Sequence, residues 1–144
     1  MINNRMGIKE LKEFLLKENH TIVIYKSDAS LVVSNERGIA PLIKLLSENR
    51  TQLKDSIIAD KVIGKAAALL MVYGEAKEVF TPTISYPALK VLKSHNIKIH
   101  YDNIVERIIN RKGDGLCPME TLCIDVDEPE KAFILMMQHH ITNS

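Results

Sequence analysis

The sequence predicts an α/β fold in three layers, a mixed β-sheet with helices on both faces. Three observations lead there. Apolar residues recur at helical spacing in several segments and alternate with period two in others. Two β-branched runs around a short polar stretch read as a hairpin, which brings antiparallel strands. The second half of the chain runs strand, helix, strand, an order that predicts parallel pairing through a right-handed crossover. A hairpin joined to parallel strands makes a mixed sheet, and helices on both faces bury it economically.

Ile8, Leu11 and Leu15 stand at helical spacing, so a first helix is expected from about Gly7 to Glu18. The runs Thr21–Tyr25 and Leu31–Val33 flank the polar stretch Lys26–Ser30 and form the hairpin. A helix near Gly38–Ser47 follows, with Ile39, Leu42, Ile43 and Leu46 as its stripe and Pro41 in its first turn. The polar stretch Glu48–Asp55 leads to the most apolar helix of the chain, which carries Val62, Ile63, Ala66 to Val72 and ends at Gly74. Apolar nearly all round, it is expected to be central and covered on several sides. Lys77–Thr81 reads as a short strand, Thr83–Ser94 as a helix, and Ile97, Ile99 and Tyr101 alternate with Lys98 and His100 as another strand. Asn103 and Glu106 resemble an N-cap and its third-residue partner ahead of Ile108 and Ile109, so another helix is expected there. A loop over Asn110–Leu116, a helical turn after Cys117-Pro118 and a last helix from about Asp127-Glu128-Pro129 complete the chain.

With 144 residues the chain is expected to be one domain over 1–144, large enough to bury about two-thirds of its unfolded surface around one core. A hydrophobic fraction of 46% and a net charge of +1 supply no general attraction to nucleic acid or membrane. Aromatic residues make up only 5% with no Trp, which argues further against a nucleic-acid binder. The two cysteines, Cys117 and Cys123, are expected to be reduced, as in a cytoplasmic protein, and no apolar run approaches the ~20 residues of a membrane span.

Two stretches carry a resemblance. Asp60-Lys61-Val62-Ile63-Gly64-Lys65-Ala66-Ala67-Ala68 is the first; Asn110-Arg111-Lys112 followed by Gly115-Leu116-Cys117-Pro118-Met119-Glu120 is the second. Together they resemble a small prokaryotic family, a domain of unknown function, classed with the cytidine-deaminase-like proteins. The resemblance covers most of the chain and implies a cytidine-deaminase-like fold, but no activity. It also exposes a departure. Zinc deaminases hold their metal with a His or Cys beside a proton-shuttling Glu and with two cysteines of a P-C-x-x-C motif. Here the first motif offers Asp60, Gly64 and Lys65, and Thr81-Pro82-Thr83-Ile84-Ser85 lacks cysteine. Without three such ligands no zinc-activated water forms, so neither metal nor other cofactor is expected.

Each candidate residue has a functional and a structural reading. Lys65 either snorkels to the surface or lines a cleft, where it would meet an anion or act with a lowered pKa. Gly64 implies close approach by a ligand or by a neighbouring element. Asp60 is either a helix N-cap or a ligand acceptor at the same helix end. Cys117-Pro118-Met119-Glu120 is either a plain helix start or a thiol activated by it, with Glu120 in the first turn. Arg107, Arg111 and Lys112 beside Gly113-Asp114-Gly115 are either a solvated loop or a phosphate cradle. None of the five histidines shares a helical face at metal-binding spacing. The expected site lies between the start of the Asp60–Ala68 helix, the Thr81–Ser85 turn and the Asn110–Glu120 loop. Asp60, Gly64, Lys65, Ser85, Arg111 and Glu120 would contact a nucleoside- or nucleotide-like small molecule there, and Cys117 and Lys65 would carry any chemistry. The alternatives are a non-catalytic homo-oligomeric interaction protein and, third, a cysteine-dependent enzyme.

Overall fold

In the computed structural model, which describes residues 6–36, 38–109, 113 and 115–142, the three layers are present. Helix α1 (Ile8–Lys17) is followed by a hairpin of β1 (Ile22–Tyr25) and β2 (Leu31–Ser34), then by α2 (Ala40–Glu48) and a 3₁₀ turn at Arg50–Leu53. Next come β3 (Ile57–Asp60), β4 (Val62–Ile63), α3 (Lys65–Tyr73), β5 (Glu78–Ser85), α4 (Tyr86–Ser94) and β6 (Lys98–Val105). A five-residue helix, α5 (Pro118–Leu122), and α6 (Pro129–Thr142) end the chain.

The sheet has six strands. β1 pairs antiparallel with both β2 and β3; β5 pairs parallel with β3, β4 and β6. The two parallel links, β3–α3–β5 and β5–α4–β6, are the crossovers that the strand–helix–strand order predicts. Period-two alternation divides β3 between two apolar clusters. Ile58 belongs to the larger cluster, with α2, α3, α4 and α6; Ala59 belongs to the smaller, with Leu11 and Leu15 of α1. α3 is buried at every position from Ala66 to Met71, which makes it the central helix its composition foretells.

Four boundaries differ from the sequence reading. Val62 and Ile63 are a strand, and α3 begins only at Lys65. Ile57–Asp60 is the central strand β3, where the sequence reading left Ile57 to Ala59 in no element and put Asp60 at the start of the next helix. A short apolar run has no intrinsic period to separate strand from buried helix, and here tertiary pairing decides. β5 continues to Ser85, where a helix was expected from Thr83. β6 continues through Asn103 to Val105, so the capped helix expected at Asn103–Glu106 is absent; Ile109 instead bridges Leu116. The apparent N-cap pair is one of many polar pairs an exposed strand carries by chance.

Candidate functional site

A cavity of about 610 Å³ opens where β3 ends and α3 begins. Asp60, Gly64, Cys117 and Glu120 line it together with Thr21, Ile39, Ala66, Ala67, Ile108 and Met119, so its walls are mostly apolar. It sits beyond the carboxyl end of β3, the position that open α/β sheets commonly use for ligands.

Asp60 is the last residue of β3, not a helix N-cap. Alternation from Ile58 turns its side chain to the α2–α3 face. It is only 9% exposed. Burial pushes its carboxyl up to about 8, opposed by the backbone N–H groups of Val62 and Lys61. Near neutral pH this group therefore carries its proton much of the time and both donates and accepts hydrogen bonds. The neighbouring backbone is firm. Lys61 N–H donates to the Thr21 carbonyl at 3.0 Å, and Thr21 Oγ1 lies 2.8 and 2.7 Å from the carbonyls of Ser34 and Glu36. Lys61 Nζ donates to Asn19 Oδ1.

The start of α3 is closed by the protein itself. Gly64 is its N-cap residue and has no side chain to cap with. Glu120 supplies the cap from α5: Lys65 N–H and Ala66 N–H donate to its Oε1 and Oε2 at 2.8 and 2.9 Å. Two orphan donors of the helix are thus satisfied by a carboxylate, which also complements the helix dipole. This explains Gly64. Its φ of −98° is open to any residue, but a Cβ there would stand 2.5 Å from Glu120 Oε1. The close approach expected at Gly64 is made by Glu120.

Lys65 turns away from the cavity. Its Nζ donates to the Ile124 carbonyl at 3.1 Å and pairs with Asp127 at 3.0 Å. It lines a second cavity of about 120 Å³ with Pro87, Arg107, Leu116 and Ile124, and Glu120 forms the wall between the two. Ser85 is fully buried and caps α4, accepting from Ala88 N–H at 3.2 Å; it lines neither cavity. Cys117 is half-buried at the edge of the larger cavity, whereas burial pushes the Cys123 thiol up to about 11. Arg111 lies outside the described residues, as do Asn110, Lys112 and Asp114. Among the described residues no group of three His, Cys, Asp or Glu side chains is placed to hold a metal ion, and no helix is long and apolar enough to cross a membrane.

Sequence reasoning brings Asp60, Gly64, Cys117 and Glu120 to one place but misses Thr21, Ile39 and Ile108. These come from three separate segments, and nothing in their local pattern marks them as neighbours.

Residues 10–140 match the protein-family description "Domain of unknown function (DUF1893)". The crystal structure of a DUF1893 family protein from Thermotoga maritima is similar, with a TM-score of 0.82 over 96% of each chain at 24% identity, a likeness of fold. No curated protein matches the chain.

Proposed function

The chain belongs to the DUF1893 family, and from that premise we propose that it binds a small, uncharged, nucleoside-like ligand in the cavity beside Asp60. The observation that carries this is the pairing of a mostly apolar 610 Å³ cavity with one buried carboxyl raised to about 8. Such volumes suit compact organic ligands. The apolar walls favour a flat heterocyclic body, and a carboxyl that donates and accepts matches the amide-like edge of a nucleobase. An anionic ligand is disfavoured. Lys61 also lines the cavity, but its Nζ donates to Asn19 Oδ1, and the helix N–H groups that would take a phosphate are occupied by Glu120, whose charge adds repulsion. This narrows the expected ligand from nucleotide-like to nucleoside-like. The reading of the scaffold as cytidine-deaminase-like is part of the same proposal, supported by the antiparallel β2-β1-β3 edge joined to parallel β5 and β6 and by a cleft at the head of the central helix. We assign no reaction to the cavity.

Thermal-shift measurements with free nucleobases, nucleosides and their 5′-phosphates test the proposal. A ligand that binds the folded state raises its melting temperature by mass action. At least one base or nucleoside is expected to do so, its phosphate less. Asp60→Leu removes both the donor and the acceptor at this position, and is expected to weaken binding by about tenfold or more, the worth of a lost buried hydrogen bond. Stabilisation by phosphates alone, or unaltered binding by Asp60→Leu, would overturn the reading.

A further inference from the structure

The sheet ends on one side in an eight-residue strand, β6, which among the described residues pairs with β5 alone. Such a strand presents a row of unpaired backbone groups, and proteins usually shorten, cover or charge it. β6 is longer than the mean strand and remains open: Tyr101 is 37% and Ile104 48% exposed, and Asp102 and Asn103 are exposed beside them. We propose that β6 pairs antiparallel with β6 of a second copy of this chain, about a two-fold axis at Tyr101, to give one continuous sheet across a dimer.

The backbone sets the pairs available. Lys98 N–H donates to the Lys77 carbonyl at 3.4 Å, so in this parallel ladder Lys98 and His100 direct their backbone groups to β5 while Ile99 and Tyr101 direct theirs outward. A two-fold axis at Tyr101 makes that residue a hydrogen-bonded pair with its own copy and sets Ile99 opposite Asn103. It also sets His100 of each copy opposite Asp102 of the other.

Charge selects this register. His100 Nε2 already lies 2.6 Å from Glu78 Oε2, so the axis at Tyr101 continues a row of acid, imidazole, acid across three strands. An axis at Asp102 would face carboxylate with carboxylate, and like charges directly opposite destabilise a sheet; an axis at His100 would pair Lys98 with Asp102 but leave each imidazole facing its copy instead of an acid. The other sheet edge competes poorly. β2 is only four residues long, and β6 laid on a partner's β2 would generate open chains instead of a closed pair.

Light scattering on the purified full chain is expected to give about twice the 16.3 kDa of one chain. Tyr101→Pro removes an outward N–H without removing a donor to β5, so it is expected to give a monomer whose circular dichroism is unchanged. Tyr101→Cys is expected to cross-link to itself under mild oxidation, with the 101–101 linkage identified by peptide mapping, whereas Ile104→Cys is not. A monomeric wild-type chain, a Tyr101→Pro variant that stays dimeric, or cross-linking of Ile104→Cys in place of Tyr101→Cys would each overturn the proposal. If Tyr101→Pro fails to fold, the cross-linking pair decides alone.

Discussion

At the scale of single residues, Asp60 is where the largest change with pH is expected. Its folded carboxyl is raised above its ordinary 3.8 to about 8, so the folded state holds a proton that the unfolded chain releases. Stability from this group is complete below pH 4 and is lost as pH rises through about 8, at about 1.4 kcal/mol per pH unit. Asp60→Asn is therefore expected to be more stable than wild type at pH 9 by several kcal/mol, with the gap shrinking steadily toward pH 4. Denaturant midpoints across that range check it; a constant difference would refute the raised carboxyl. Lys65 is a tie between α3 and the segment before α6. Lys65→Met is expected to cost about 1 kcal/mol, chiefly through the Ile124 carbonyl, because Asp127 is 88% exposed and its pair is screened. The two thiols should separate just as clearly: iodoacetamide is expected to label half-buried Cys117 well before Cys123, which is buried and held protonated.

At the scale of elements, the ends of α3 show how much the sequence makes legible. Its apolar body is plain from composition, and Gly74 at its end is a conventional stop signal. The glycine's reason is not the conventional one. Gly74 has helical backbone, and a Cβ on it would stand 2.7 Å from Leu53 Cβ; the left-handed residue is Glu75, at φ 62°. Glu75→Gly is thus expected to stabilise the protein by about 0.5–1 kcal/mol, while Gly74→Ala destabilises it by about 1–3 kcal/mol through crowding at Leu53 and Leu46. Thermal melts of the two variants should move in opposite directions. The start of α3 is legible only in part. Gly64 and Glu120 stand out as candidates, yet the reason lies in each other, 56 positions apart in the numbering, and no local pattern reports that contact. β3 was illegible because Ile57–Asp60 is four residues long and buried on both faces, which erases the alternation that would have marked it. α1 and α2 were legible because each keeps a polar side, and the hairpin because two β-branched runs flank a polar turn.

At the scale of the whole molecule, the two apolar clusters share the sheet, and β1, β3 and β5 contribute to both of them. Opening any of these strands disrupts both layers at once, so their amides are expected to exchange most slowly, near the rate of global unfolding, while β2 exchanges faster. Hydrogen-exchange mass spectrometry resolves the difference; faster exchange in β3 than in β2 would contradict this layering. The Glu120 cap has a further consequence, in the language of competition. A carboxylate tethered in place confronts the two N–H groups of α3 at an effective concentration of millimolar or above, whatever the solution contains. Any free phosphate must outcompete a rival that never dilutes. About 10 mM inorganic phosphate is therefore expected to leave the melting temperature of the wild-type chain unmoved beyond its ordinary salt effect, and to raise that of Glu120→Ala, in which the rival is gone. A helix that elsewhere would act as an open receptor for anions is here permanently antagonised by its own chain, and one substitution separates the two behaviours.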